Sequence, residues 1–277
     1  MNRGRDTESS SPIDDFVKME FDFAGEMCFM VDTMLEALKK VLFGAGLLTP
    51  TIHSIATALL SDNIPSEWTT TNGGGVGWLG PETSPQVWLR ELVRKRISLN
   101  KWVTAVNKGQ LLVPGSVANA GGASGLVLGD LFNPSTFINA LRQQTARLLS
   151  KPIDQMVLVS SWSSDLKGKA SHIDNRVSCC LANMFLQGAS YHRVLQESRP
   201  EANEISQAPV VTIGFIDRTD AQSYSTEEDL VAIPVYLTPT REDFLMALDM
   251  PIPSDAGTHD PLQKWILAGV ALFLSEE

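Results

Sequence analysis

The sequence predicts an α+β fold, with a helical half followed by a half made of strands. Three observations predict it. Apolar residues recur at helical spacing up to about residue 150. Three pairs of an N-capping residue and a proline, Thr49-Pro50, Ser84-Pro85 and Asn133-Pro134, punctuate that half. After Pro152 the apolar runs become short, β-branched and alternating. Helices first and strands second is the order of an α+β fold, not of alternating βαβ units.

The elements follow in order. Residues 1–15, rich in Ser, Asp and Glu, predict a disordered tail. Residues 16–154 form the helical part and 155–277 the β-rich part. The first clear helix is "VDTMLEALKKVLFGAG", where Val31, Met34, Leu35, Leu38, Val41 and Leu42 share a face and Gly44 caps the end. Thr49 and Pro50 open a second helix, with Ile52, Ile55, Ala56 and Leu59 as its stripe. A glycine-rich loop, Thr69 to Ser84, leads to a third helix that carries Trp88, Leu92, Leu99, Trp102 and Val106 inward and ends at Gly109. A second loop rich in glycine and alanine, Val113 to Asp130, precedes "NPSTFINALRQQTARLLSKPID", a helix capped by Asn133 and stopped by Pro152. Its face is Phe137, Leu141, Thr145 and Leu148. "QMVLVSSW", "APVVTIGFID" and "DLVAIPVYLT" read as strands. "VSCCLANMFLQGASYH" fits helix or strand, with Gly188 marking a turn or a close backbone approach. "WILAGVALFLSEE" fits a strand or a short helix, and its length and glycine favour the strand.

Composition excludes several function classes. The protein has 277 residues and a formal net charge of -10. That balance argues against a general nucleic-acid binder, which needs clustered positive charge, and against an anionic membrane surface. The polar N-terminus is no secretory signal, and the longest apolar run, Trp265 to Leu274, is too short to span a bilayer. Three cysteines make no disulfide framework. The expectation is a soluble, intracellular protein.

No motif completes a catalytic, cofactor or metal site. "NGGGVGW", "AGGASGLVLGD" and "KGKAS" each lack part of a phosphate-binding loop. "GGASG" misses the spacing of a nucleophile elbow around Ser124 by one residue. His53, His172, His192 and His259 are scattered, without metal-ligand spacing. If they lie on a strand, Cys179 and Cys180 point opposite ways, one to the core and one outward, and a hydrolase that pairs Cys179, Cys180 or Ser124 with a histidine, His172 or His192 for the cysteines, is the minor enzymatic alternative. "RELVRKR" (Arg90 to Arg96) is a basic patch on an acidic protein, either salt-bridged along its helix or a docking surface for an acidic partner.

An ordered set of short motifs carries more information than any one of them. "IPSEW" places Pro65 and Trp68 in a turn, and "WLRELVRKRISLNKWV" sets Trp88 and Trp102 on either side of a basic helix. "FNPSTFINALRQQTARLLSKPID" then gives Pro134, Phe137, Ala140, Gln143, Ala146, Arg147, Pro152 and Asp154. "FLQGASYH" gives Gly188 and Ala189, "IPVYLTPTR" gives Pro234 and Tyr236, and "LQKWILAGVALFLSEE" gives Trp265 and Gly269. In this order the sequence, from about Leu35 onward, resembles the C-terminal domain of dynein heavy chains. It departs from that family at both glycine-rich loops, and at Leu237, where the family carries a lysine.

The resemblance implies an α+β domain of helices followed by a small antiparallel β-barrel-like part, without a catalytic, cofactor or metal site of its own. It implies a structural and regulatory role, bracing the AAA+ ring of an ATP-driven, minus-end-directed microtubule motor. ATP and Mg would belong to the ring that precedes this region. The implied partners are the AAA+ ring of the heavy chain, other dynein subunits and, indirectly, microtubules, with no nucleic acid and no membrane. The implied location is cytoplasm and cytoskeleton, including a cilium or flagellar axoneme. Gln143, Gln144 and Arg147 are then expected to pack and brace the junction of the helical and barrel parts. The alternative is a free-standing interaction module derived from such a domain.

Overall fold

The computed structural model describes residues 11–70, 78–80, 84–113, 125–162, 171–197, 205–223, 230–253 and 261–275. Most of both glycine-rich loops, Ser124, the Gly-Lys pair at 168–169 and His259 lie outside the described residues. The architecture is α+β, helices first and mostly antiparallel sheets after.

The first helix, α1 (Pro12–Leu42), is 31 residues long and begins inside the expected tail. Ser11 caps it. Its Oγ accepts from the Asp14 N–H at 3.5 Å and its carbonyl from the Asp15 N–H at 3.0 Å. Pro12 takes the first helical position, and Asp14 and Asp15 favour the positive end of the helix dipole. Ile13, 1% exposed, anchors that turn in the core. At the other end Gly44 adopts φ +71°, and the Gly44 and Ala45 N–H groups bond back to the Val41 and Lys40 carbonyls.

Helix α2 (Pro50–Leu60) starts as expected, with the Thr49 hydroxyl accepting from the Ile52 N–H at 3.3 Å. His53 lies on its exposed side. Helix α3 (Pro85–Asn107) is capped by Ser84 Oγ, which accepts from the Val87 N–H, and Trp88, Leu92, Leu99 and Trp102 are all buried.

Helix α4 (Pro134–Leu149) departs from expectation at both ends. Asn133 occupies the N-cap position, but its side chain makes no capping bond and its carbonyl receives the Thr136 N–H instead. The helix closes at Ser150, which is left-handed at φ +52° while the Lys151 N–H bonds back to the Ala146 carbonyl. The backbone has therefore left the helix before Pro152. The buried face is Phe137, Ala140, Leu141, Thr145 and Ala146, and Leu148 turns outward.

Two compact units are present, and they do not follow a division at 154/155. The helical unit comprises Val17–Val103 and Asp130–Phe132. Its core gathers Met27, Val31, Trp68, Trp88 and Leu92. Trp88 lies between two other indoles, with ring centroids 5.4 Å from Trp68 and 5.2 Å from Trp78, and donates its indole N–H to the Leu79 carbonyl at 2.9 Å. The mixed unit takes the residues up to Phe16, Thr104–Gly129 and everything from Asn133. Helix α4 belongs to it because it packs against strands that follow it in sequence.

In the mixed unit β1 (Met156–Ser161) pairs with β7 (Val211–Asp217), which also pairs with β2 (Cys179–Leu181), all antiparallel. A second sheet runs β6 (Ser206–Gln207), β3 (Phe185–Gln187), β10 (Ala271–Phe273), β8 (Leu230–Tyr236) and β9 (Phe244–Pro251). Only β10 and β8 pair in parallel among these. β4 (Ala189–His192) and β5 (Val194–Glu197) form a hairpin. Ser160 Oγ and Trp162 Nε1 both donate to the Asp249 carbonyl, at 3.1 and 2.7 Å, tying β1 and its end to the edge of β9. One-turn α5 (Arg218–Ser223) follows β7.

Two readings are corrected here. "WILAGVALFLSEE" is not one strand. Its first residues end α6 (Pro261–Leu267), Gly269 turns the backbone at φ +64°, and only Ala271–Phe273 is strand. β9 is not among the expected strands, although Met246, Leu248 and Met250 alternate and are all buried. Gly188 fulfils both of its expected roles. Its φ is +80°, and a Cβ there would sit 2.7 Å from the Ala268 carbonyl oxygen, so only glycine fits.

Candidate functional site

A polar cluster in the helical unit surrounds three residues, Asp130, Leu131 and Phe132, which cross it as a strap. α3 supplies Arg94, Lys95 and Ser98 from adjacent turns, and α1 supplies Glu20. Arg94 Nη1 and Ser98 Oγ each donate to the Asp130 carboxylate at 2.6 Å. Lys95 Nζ donates to the Leu131 carbonyl at 2.7 Å. The Phe132 N–H donates to Glu20 Oε2 at 2.6 Å. The Phe132 ring meets Phe23 and Trp78 edge-on at 4.9 and 5.4 Å, and the Lys95 ammonium lies over the Phe132 and Trp78 rings.

Glu20 is fully buried and Lys95 nearly so. Burial, helped by Arg94, pushes the Lys95 ammonium down to about 8, against the opposing pull of Asp130, Glu20 and Glu91. Buried charges of both signs, each hydrogen-bonded, hold a geometry firmly. The cluster joins acids and bases to one another and to backbone groups of the strap, with the Ser98 hydroxyl committed to Asp130 and the Lys95 ammonium to the Leu131 carbonyl.

The basic patch largely closes on itself. Arg94 also pairs with Glu91 at 2.7 Å, and Arg96 donates to the Phe21 carbonyl and stacks 3.6 Å over the Phe21 ring. Arg94, Lys95 and Arg96 are thus committed within the helical unit. Arg90 stays exposed on the outer face.

The cysteines divide as expected, with Cys179 buried and Cys180 half-buried. Burial pushes the Cys179 thiol far up, and the neighbouring Cys180 adds to that, so Cys179 is held as a neutral thiol. Cys180 Sγ lies 3.5 Å from Thr212 Oγ1, while His172 and His192 are exposed. Among the described residues no group of three or more His, Cys, Asp or Glu residues is placed to hold a metal ion, and no helix is long and apolar enough to cross a membrane.

In the mixed unit, Asp217 at the end of β7 accepts from the Thr219 hydroxyl and N–H at 2.6 and 2.8 Å, and Lys151 Nζ lies 3.0 Å away. The Thr219 bonds, then Lys151, hold its carboxyl at about 2. A depressed carboxyl contributes stability that is fully present above its unfolded value of about 4 and is lost as pH falls toward 2. Thr219→Ala is therefore expected to raise the Asp217 pKa and to start acid unfolding at higher pH. A carbon-detected NMR titration of the carboxyl and an acid melt would show both.

A family model for the C-terminal domain of dynein heavy chains matches residues 2–274. The protein belongs to this dynein family. It is 31% identical over 268 residues to cytoplasmic dynein 2 heavy chain 1 of Mus musculus, a match that spans 96% of the present sequence and 6% of that protein. It is 29% identical to cytoplasmic dynein 2 heavy chain 1 of Chlamydomonas reinhardtii, spanning 99% of the present sequence and 6% of that one. To dynein axonemal heavy chain 9 of Homo sapiens it is 24% identical, spanning 94% and 5%. This dynein domain thus spans about 6% of the length of the cytoplasmic dynein 2 relatives it matches.

The motif residues of the dynein domain fall into three groups. Trp68, Trp88, Trp102, Pro134, Phe137, Ala140, Ala146, Ala189 and Trp265 are buried, as is Pro65 at the turn before Trp68. Gly188 and Gly269 hold left-handed turns, and Pro234 and Tyr236 are half-buried on β8. Gln143, Arg147, Pro152 and Asp154 are exposed. Gln143 and Arg147 therefore do not pack a core, whereas Gln144 is partly buried and accepts from Ser11 Oγ. Glu20 stands in no motif quoted from the sequence, and Asp130 and Arg241 lie at the ends of quoted stretches without being singled out as residues. Arg241, at φ +61°, donates to the Gly269 carbonyl at 2.7 Å and to Gln187 Oε1 at 3.0 Å, fastening the turn after β8. Its place in "IPVYLTPTR", with Gly269 far along the sequence, gives no sign of that bond.

Proposed function

We propose that this domain is the C-terminal part of a dynein heavy chain of the cytoplasmic dynein 2 type, where it braces the AAA+ ring and tunes motor output without chemistry of its own. The observation that carries the reading is the tip formed by the end of α1 and the turn into α2. Leu42, Phe43 and Leu47 are 77%, 79% and 82% exposed there, with Leu48 beside them. A row of large apolar side chains at the end of a well-packed helical unit is a surface built to be covered. The rest of the heavy chain, of which this segment matches only 6% in the mouse relative, supplies the cover. A brace works by favouring some ring conformations over others, which is allosteric coupling. ATP and magnesium are then bound by the ring modules, microtubule contact is made elsewhere in the heavy chain, and the domain resides where its motor does, on cytoskeletal tracks in cytoplasm or cilium. The higher identity to the dynein 2 relatives than to the axonemal one supports the type.

Leu47→Asp in the heavy chain is expected to change stall force and microtubule-stimulated ATPase while leaving the domain folded, because Leu47 adds little to its own core. Force and turnover assays on the motor, with thermal melting of the domain alone, check this. Unchanged motor output, or ATP turnover by the isolated domain that a mutation within it abolishes, would refute the brace.

A further inference from the structure

A second surface of the helical unit lies along the outer faces of α1 and α3 and is charged in opposite senses on its two helices. On α1, Asp22, Glu26 and Phe29 recur at i, i+4 and i+7, opposite the buried Ala24, Met27 and Val31. Asp32, also exposed, follows one residue after Val31. On α3, Arg90, Val93, Ile97 and Lys101 recur at i, i+3, i+7 and i+11, opposite the buried Trp88, Leu92 and Leu99. Phe29, Val93 and Ile97 are 74%, 51% and 57% exposed. The two helices are neighbours. The Arg96 guanidinium of α3 stacks on Phe21 of α1, and a Cβ at Gly25 would come within 3.2 Å of Arg96 Nη1.

The face therefore presents an acidic stretch from Asp22 to Asp32 on one helix, preceded by the exposed Lys18, a basic row on the next, and apolar side chains on both. α3 carries five basic residues, Arg90, Arg94, Lys95, Arg96 and Lys101, and one acid, Glu91, in a protein whose net charge is -10. A twofold axis running along the helices would lay the acidic row of one copy over the basic row of the other, and the reverse, with the apolar side chains enclosed between. Such an isologous contact needs a self-complementary patch, and opposite charge on adjacent helices is one. Neither a uniformly acidic nor a uniformly basic partner satisfies both rows.

We infer that the outer face of α1 and α3 is a docking surface for a second copy of this domain. It is separate from the apolar tip at Phe43 and Leu47, and it stands whether or not that tip meets a ring.

The test uses all 277 residues in sedimentation velocity from micromolar to submillimolar concentration. The wild type is expected to form dimers that added salt weakens, because exposed charge pairs are screened. Asp22→Lys/Glu26→Lys and Arg90→Glu/Lys101→Glu should each weaken dimerisation at least about tenfold. Mixed in equal amounts they should dimerise again, since each variant's altered row then faces its opposite. Ile97→Asp, at an exposed position, should abolish the dimer with an unchanged melting temperature, and serves if a charge variant misfolds. A protein that stays monomeric throughout the range overturns the inference. So do dimers indifferent to both charge reversals, two variants that fail to recombine, and association lost only on Leu47→Asp, which would place the contact at the tip.

Discussion

Phe137→Ala should lower the unfolding free energy of the domain by roughly 3–5 kcal/mol, the range for emptying a buried aromatic position. Phe137 is 0% exposed on α4, and its ring lies 5.9 Å from that of Phe16, which is itself buried. Pro134, Ala140, Leu141 and Thr145 share the face and are held by a rigid helix, so the cavity has little means of collapse. Phe137→Leu should recover much of the loss, because it restores most of the volume. Urea denaturation at constant slope, compared among the three proteins, measures the difference. A loss below about 1 kcal/mol for the alanine variant would mean the α4 face is not the core it is described as.

Glu20→Ala should cost a similar amount, about 3–5 kcal/mol, for a different reason. The change removes the acceptor of the Phe132 N–H and one of the negative charges that face the buried Lys95. A buried donor and a less compensated buried cation are then left behind, and the penalty is chiefly theirs. Glu20→Gln keeps an oxygen for the Phe132 N–H and loses only the charge, so it should cost distinctly less. The Lys95 pKa should fall further in both variants, since Glu20 holds it up. Denaturation curves give the first comparison and an NMR titration of the Lys95 ammonium the second. Equal stability of alanine and glutamine variants would show that the hydrogen bond to the strap is without consequence.

The class of fold was legible because local signals and the burial they produce agree. Thr49 and Ser84 cap as their pairing with proline predicts, and the four tryptophans Trp68, Trp88, Trp102 and Trp265 all end in cores. The same cap–proline signature stands at Ser11-Pro12, yet the composition around it reads as a tail. The apolar residues that settle the matter, Ile13, Phe16 and Val17, come only after it. In "WILAGVALFLSEE" the apolar run is continuous, and periodicity cannot divide helix from strand within it; Gly269 does so through its backbone. The strap was illegible for a deeper reason. Glu20, Lys95 and Asp130 are far apart in sequence, each is of a type that usually faces water, and only the fold brings them together. The family resemblance rests instead mostly on turn glycines and core residues such as Gly188, Trp88 and Phe137, with none of Glu20, Lys95 or Asp130 among them, which is why it identifies the domain without pointing to that cluster.

The strap also has a consequence for how the polypeptide is made. Val17–Val103 emerges from the ribosome well before Asp130–Phe132, with Thr104–Gly129 of the other unit between them. Until that later stretch appears, Glu20 and Lys95 face a gap where their backbone partners belong, and Asp130 is missing from Arg94 and Ser98. The helical unit is thus finished by residues synthesised after its last helix, and a product truncated anywhere between 108 and 129 would carry all of its long helices yet lack the piece that hydrogen-bonds their buried Glu20 and Lys95.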